Sequence, residues 1–336
     1  MFSKYNERNL YIYSAFILAG TFFAMHNSLL YLIMFFVVPM LISYCFYAYS
    51  FTEVILVCLS ALIFNFTTTY LTTPDTAVLC VINTLIMCIP GFIIGYCFKI
   101  KTSYKDVLIY TSAFDLIIIL TVLAFVKYAT KTNITEILHN ELFALYYNQI
   151  DILKSLSDEF AKVIEHNEDS ILSILYICIP GLFPFVATVI IVLANTLKFT
   201  LCKIICSAMM INNENFSDGF DVFKTSIVSV VTFAILALVV LLSESMNAFM
   251  IAANAMLIIV FLYYLQGLSV TEFKMKQKFI STLPRLIIII GILAISLLTA
   301  TIFPIINIIY VFVFIGIMDM IFDFRKLNYN KDEANE

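Results

Sequence analysis

The stretch from Leu10 to Ala48, LYIYSAFILAGTFFAMHNSLLYLIMFFVVPMLISYCFYA, decides the fold. Drawn as one helix at about 1.5 Å per residue it is roughly 58 Å long, nearly twice the ~30 Å of a bilayer's hydrocarbon core. Its one polar break is His26-Asn27-Ser28, so it reads as two apolar helices folded back on each other there. The same arithmetic carries outward. The run from Leu283 to Met320 is also too long for one pass and needs a turn near Thr299 to Pro304. Single passes are read at Thr52 to Leu71, Thr76 to Phe98, Asp106 to Tyr128, Ser170 to Leu197, Thr225 to Leu242 and Asn247 to Leu268. The expected fold is all-α: a polytopic transmembrane helical bundle of about ten spans, with the lipid bilayer as its solvent.

Composition points the same way. Of 336 residues 62% are hydrophobic and 12% charged, against about 45–50% and 25% in soluble domains, which excludes a soluble globule. A net charge of -4 without a basic stripe excludes nucleic acid as a partner. Cys45, Cys58, Cys80, Cys88, Cys97 and Cys178 lie in apolar runs and only Cys202 and Cys206 fall near a loop, so all read as small buried hydrophobes rather than disulfides. No small-residue cleavage site follows Lys4 and Arg8, so the first helix is expected to stay.

Orientation follows from the basic residues. Fifteen Lys and Arg fall on one set of loops (positions 4, 8, 99, 101, 105, 198, 203, 224, 274, 276, 278, 285, 325, 326 and 331) and four on the other, at 127, 131, 154 and 162. By the positive-inside rule both termini are cytoplasmic, in the cell membrane. The outer loop of 129–169 reads as amphipathic and acidic, with Leu138, Leu142, Leu145 and Leu153 at helical spacing among Glu136, Glu141 and Asp151. It serves as a linker on the headgroups or a lid on the bundle. On the inner side 198–224 reads as an interfacial connector.

Ionisable groups at membrane depth are functional candidates by default. Asp115 alone lies mid-span, about 14 Å past the start of its helix. It reads either as a carboxyl bonded to a Ser, Thr or Asn of a neighbouring helix or as a proton or substrate site. The outer halves of the first four spans collect hydroxyls and amides, from which Asn27, Asn65, Thr68 and Asn83, with Asp115, are the candidate contacts for a small polar solute. The competing reading is interhelical hydrogen bonding, shared by Asn195, Asn254 and Asn307. Gly91-Phe-Ile-Ile-Gly95 and Ala15-Phe-Ile-Leu-Ala19 are small-xxx-small pairs that let helices approach closely. Pro90, Pro180 and Pro184 are expected to kink or break their helices. No P-loop, H-E-x-x-H or G-x-S-x-G is present, so no enzyme and no cofactor is expected. His139-Asn-Glu141 and His166-Asn-Glu168 lack further ligands, and no metal site is expected.

The passage Pro90-Gly91-Phe-Ile-Ile-Gly95 followed by Lys99 and Lys101 resembles the fourth-to-fifth helix junction of the YybS-like predicted bacterial membrane proteins. Gln266-Gly267-Leu268 before a basic loop, and the ending Gly316-Ile-Met-Asp319-Met-Ile-Phe-Asp323-Phe324-Arg325-Lys326, resemble that family's later landmarks. That family in turn is similar to the S components of energy-coupling-factor transporters, six-helix subunits that bind a vitamin or metal-related solute near the external face. The resemblance implies that Ala15 and Ala19 meet a transmembrane coupling subunit carrying ATPases. It implies an S-like unit at 1–197 with 129–169 inserted; beyond it the chain reads as the connector at 198–224, a four-helix unit at 225–322 that S components lack, and a cytoplasmic tail at 323–336. The function so implied is a substrate-binding or transport-associated component energised by partners. The alternative is a non-transporting scaffold or regulator acting through its cytoplasmic loops.

Overall fold

The computed structural model describes residues 7–131, 158–209, 220–278, 280–302 and 307–325, together with residues 136, 140, 144 and 147. Most of the outer loop, positions 210–219 of the connector and the tail from 326 lie outside the described residues, and with them most of the segment read as amphipathic at 129–169.

Ten α-helices follow one another among the described residues, without strands. They are α1 Glu7–Ala24, α2 Ser28–Ala48, α3 Phe51–Thr72, α4 Ala77–Lys99, α5 Tyr104–Thr130, α6 Asp158–Met209, α7 Val228–Leu242, α8 Met246–Gln277, α9 Thr282–Ile302 and α10 Ile308–Phe322. Six of them contain stretches long and apolar enough to cross a membrane, namely Ser28–Ala48, Phe51–Thr72, Ala77–Lys99, Tyr104–Tyr128, Gly181–Cys206 and Met246–Gln277. Four further apolar stretches are shorter, Asn9–Ala24, Val228–Leu242, Pro284–Ser296 and Ile308–Phe322. Large apolar side chains such as Tyr11, Ile63, Leu120, Leu238 and Phe314 face outward, an arrangement stable in lipid and not in water.

Helix starts follow capping chemistry. Asn27 caps α2 by accepting from the Leu30 N–H at 3.0 Å, so the polar break in the opening stretch is a turn between two helices. Ser50 and Glu53 form a reciprocal capping box on α3, and Asn307 caps α10 from the Ile309 N–H at 2.9 Å. Each satisfies backbone donors that a helix end otherwise leaves open. Two expected boundaries move. Of the turn expected at 299–304, the positions up to Ile302 belong to helix α9, and 303–306 lie outside the described residues. Hydropathy ends the sixth pass at Leu197, yet α6 runs on without a break to Met209.

The chain divides into two compact units. The first comprises Met1–Ile118, Ile191–Ser229 and Val260–Glu336. In it α2 packs against α4, where a Cβ on Gly91 would lie 2.5 Å from the Pro39 carbonyl oxygen and one on Gly95 would lie 2.9 Å from Ser43 backbone. The small-xxx-small pair thus sets the α2–α4 approach.

The second unit comprises Ile119–Ile190 and Val230–Ile259. Here Pro184, lacking an N–H, interrupts the ladder of α6, and Asn254 of α8 repairs the turn. Its side-chain carbonyl accepts from the Phe185 N–H at 3.0 Å, and its amide nitrogen donates to the Gly181 carbonyl. One side chain therefore takes the place of a missing backbone pairing, which the bilayer would otherwise leave unsatisfied. Asn254→Ala is expected to cost about 1–3 kcal/mol through these orphaned groups, read as a lowered midpoint in denaturant titration of the detergent-solubilised chain. An unchanged midpoint would refute the repair.

Candidate functional site

The polar residues of the first four helices are distributed over separate tasks. Asn65 is fully buried and donates to Thr21 Oγ1 at 2.9 Å and Thr84 Oγ1 at 3.1 Å, tying α3 to α1 and α4. Thr68 donates to the Phe64 carbonyl of its own helix at 2.7 Å. Asn83 accepts from the Tyr31 hydroxyl at 3.5 Å, and Asn27 is the exposed cap of α2. Asn65 turns inward to neighbouring helices, while Thr68 bonds its own backbone. Ala15 and Ala19 are exposed on α1.

Asp115 has a basic partner. Lys198, fully buried on α6, places Nζ 3.6 Å from Asp115 Oδ2 and 3.8 Å over the centroid of the Phe35 ring. Asn195, one turn earlier, donates to the same Asp115 oxygen at 3.0 Å and to Ser112 Oγ at 3.3 Å. Counting Lys198 as a loop charge hides this pairing, because hydropathy treats a lysine as the end of a span whereas here a carboxylate and an aromatic face offset its charge. The spacing Asn195-x-x-Lys198, opposite Ser112-x-x-Asp115, is the sequence signal that would have revealed it.

A second charged group joins segments far apart in the chain. Arg325, 3% exposed, spends all its N–H donors. Nε and Nη2 reach the carboxylate of Asp319, the latter at 2.7 Å, while Nη1 reaches the Asp221 carbonyl and Ser269 Oγ, both at 2.6 Å, and Nη2 also the Phe223 carbonyl at 2.9 Å. Asp319, fully buried, accepts from Gln266 Nε2 at 2.9 Å, and the Gln266 carbonyl accepts from the Thr225 N–H at 2.9 Å and from its hydroxyl. Asp323 takes a left-handed conformation that ends α10 and pairs with Lys224 at 2.8 Å.

Beside these groups the first unit holds a cavity of about 630 Å³, lined by α6, α8, α9, Phe36 and the short turn at Phe220–Val222. Its walls are mainly apolar, including Leu193, Leu197, Phe220, Leu268 and Ile289. Its charged groups are Lys203, Asp221, Glu272, Lys276 and Arg285. Two ion pairs organise them, Arg285 to Glu272 at 2.9 Å and Lys276 to Asp221 at 2.8 Å. Among the described residues no three His, Cys, Asp or Glu side chains converge as a metal site.

The ten helices among the described residues, with outward-facing hydrophobic side chains, buried ion pairs and an internal cavity, define a multi-pass α-helical membrane protein. The chain belongs to the family described as predicted membrane protein (DUF2232), whose pattern matches residues 11–320. No curated protein and no solved structure matches it.

Proposed function

We propose that this chain is a substrate-binding, transport-associated membrane protein whose ligand site is the cavity walled by α6, α8 and α9. The observation that carries the reading is that cavity, whose ~630 Å³ falls within the range of small-molecule sites and whose apolar walls converge on a few charged groups. This moves the site from the outer polar cluster, whose side chains are spent on caps and helix ties, to the ends that the lysine count assigns to the cytoplasm. The S-component resemblance supplies the partner side of the reading: an exposed Ala15/Ala19 face on α1 suits a close helix–helix contact with a coupling subunit. The absence of a P-loop from the sequence assigns energy to such partners.

The test has two arms on one preparation. Affinity purification from the native membrane is expected to bring down a transmembrane coupling subunit with ATPases, and Ala15→Leu with Ala19→Leu to abolish this while the chain stays folded. A thermal-shift screen of small solutes and amphiphiles is expected to yield a stabilising ligand whose effect disappears in Ala194→Trp, which fills the cavity. No partner and no stabilising ligand would reject transport and favour the scaffold reading.

A further inference from the structure

We infer that Asp115, Asn195 and Lys198 form a hydrated proton-exchange site between α2, α5 and α6, separate from the cavity.

Three buried polar atoms of this cluster, Lys198 Nζ, Asp115 Oδ1 and Asn195 Oδ1, have no hydrogen-bond partner among the described residues. They belong to one group of contacts. Asn195 Nδ2 lies 3.0 Å and Lys198 Nζ 3.6 Å from Asp115 Oδ2, and the two unpartnered oxygens are the second atoms of that same carboxyl and amide. At 3.6 Å the ion pair is longer than the roughly 2.7–2.9 Å of a charge-assisted hydrogen bond. Coulomb attraction holds the two charges while their bonding capacity stays unused, which is costly for buried groups. The cluster therefore offers an ammonium with N–H groups to give and two oxygens able to accept. A metal cation would face the ammonium and an anion the carboxylate. A water accepts from Lys198 and donates to Asp115 and Asn195, and three polar partners are the usual complement of a buried water.

Asp115 takes the proton. Its side chain is 11% exposed against 0% for Lys198, so it forms the open edge of the cluster, and Oδ1 is the oxygen that no donor occupies. As the pH falls, a hydronium ion gives its proton to Oδ1: an O–H bond forms, the carboxylate becomes a neutral carboxyl, and a water is left. Lys198 keeps its charge, because the Phe35 ring lies 3.8 Å from Nζ and its face attracts a cation. Phe35 thus has a task that a permanent ion pair would not require. The other titratable groups in electrostatic reach, among the described residues, are Tyr31 of α2 beside Asp115 and Cys202 of α6 beside Lys198. Phenols and thiols are uncharged near neutral pH, so Lys198 is the counter-charge whose place the proton takes. Positions 195, 198 and 202 share one face of α6, whereas Ala194, Leu197 and Thr200 line the cavity. Proton site and cavity use different faces of one helix.

The experiment uses the full chain in phosphatidylcholine nanodiscs. Infrared difference spectra recorded on stepping the pH from alkaline to acid are expected to show a carboxylic C=O band that moves when the aspartates are isotope-labelled. The band should be lost in Asp115→Asn, kept in Asp106→Asn at the start of α5, and displaced in frequency in Asp115→Glu. The last variant keeps a carboxyl and decides the matter if Asp115→Asn does not fold. An O–H band that moves in heavy-oxygen water should be lost in Asn195→Leu and in Lys198→Met. A C=O band that neither Asp115 substitution alters, or a water band indifferent to both Asn195→Leu and Lys198→Met, overturns the inference. Neither result touches the cavity reading, which stands or falls on the ligand screen and Ala194→Trp.

Discussion

Arg325→Met is expected to lower the stability of the folded chain by about 3–5 kcal/mol, the cost of leaving a buried carboxylate without its counter-charge. Asp319 has no exposed surface and its remaining donor is the neutral amide of Gln266. The substitution also strips a donor from each of the Asp221 and Phe223 carbonyls. Asp319→Leu should cost a similar amount, since it buries an unpaired guanidinium. The double variant should cost clearly less than the two single costs together, because a removed pair no longer leaves a lone charge in an apolar site. The measurement is a double-mutant cycle on denaturant unfolding in detergent. Additive losses would mean that the two side chains contribute independently and that the network does not act as a unit.

The elements of this network are visible in the sequence one at a time. Gln266-Gly267-Leu268 and the segment from Gly316 to Arg325 stand out as separate landmarks, but Gln266 and Asp319 lie 53 positions apart. Hydropathy is a local measure and says nothing about which spans are neighbours. What it reads well is length and interruption. His26-Asn27-Ser28 is legible as a turn because a polar triplet in a run too long for one crossing admits no other use, and Asn27 performs the capping its residue type favours. It fails where a polar residue is compensated from another helix. Lys198 counts as a loop residue until Asp115 and Phe35 are placed beside it. Asn254 is one of several interhelical asparagines until the break made by Pro184 gives it a specific pair of backbone groups. The cavity is illegible for the same reason, since its lining comes from four stretches between Leu193 and Leu293 and from Phe36, none of which is unusual alone. In the outer polar cluster, likewise, residue types gathered along the chain do not say which way each one points: its rotation on the helix decides whether a residue faces a neighbour, as Asn65 does, or its own backbone, as Thr68 does.

Replacing Gly316 or Gly267 by Leu should prevent α8 and α10 from docking and leave the chain unable to assemble its native core. A Cβ at Gly267 would collide with the Phe312 carbonyl of α10, and one at Gly316 with the Tyr263 carbonyl of α8. Both obstacles are backbone, so no rotamer change relieves them, and even Ala should cost about 1–3 kcal/mol as an overpacked contact. The other glycines supply an internal scale. At Gly20 and Gly181 the nearest atoms belong to the flexible ends of Met34 and Met250, so Ala there should be milder. A Cβ at Gly291 on α9 would meet nothing within 4 Å, and Gly291→Ala should gain roughly 0.5–1 kcal/mol from helix propensity alone. Midpoints measured across the series in one detergent should therefore rank Gly291→Ala above the wild type, Gly20→Ala and Gly181→Ala below it, and Gly267→Ala and Gly316→Ala lowest. A flat series would refute the close approach of α8 and α10. That approach also sets the ion network, because Gln266 adjoins one glycine and Asp319 lies three residues past the other. Separating the backbones at Gly267 and Gly316 withdraws Gln266 from Asp319, so the Gly316→Ala and Arg325→Met costs should be less than additive when combined. Strict additivity would show that the helix contact and the buried ion pair are independent.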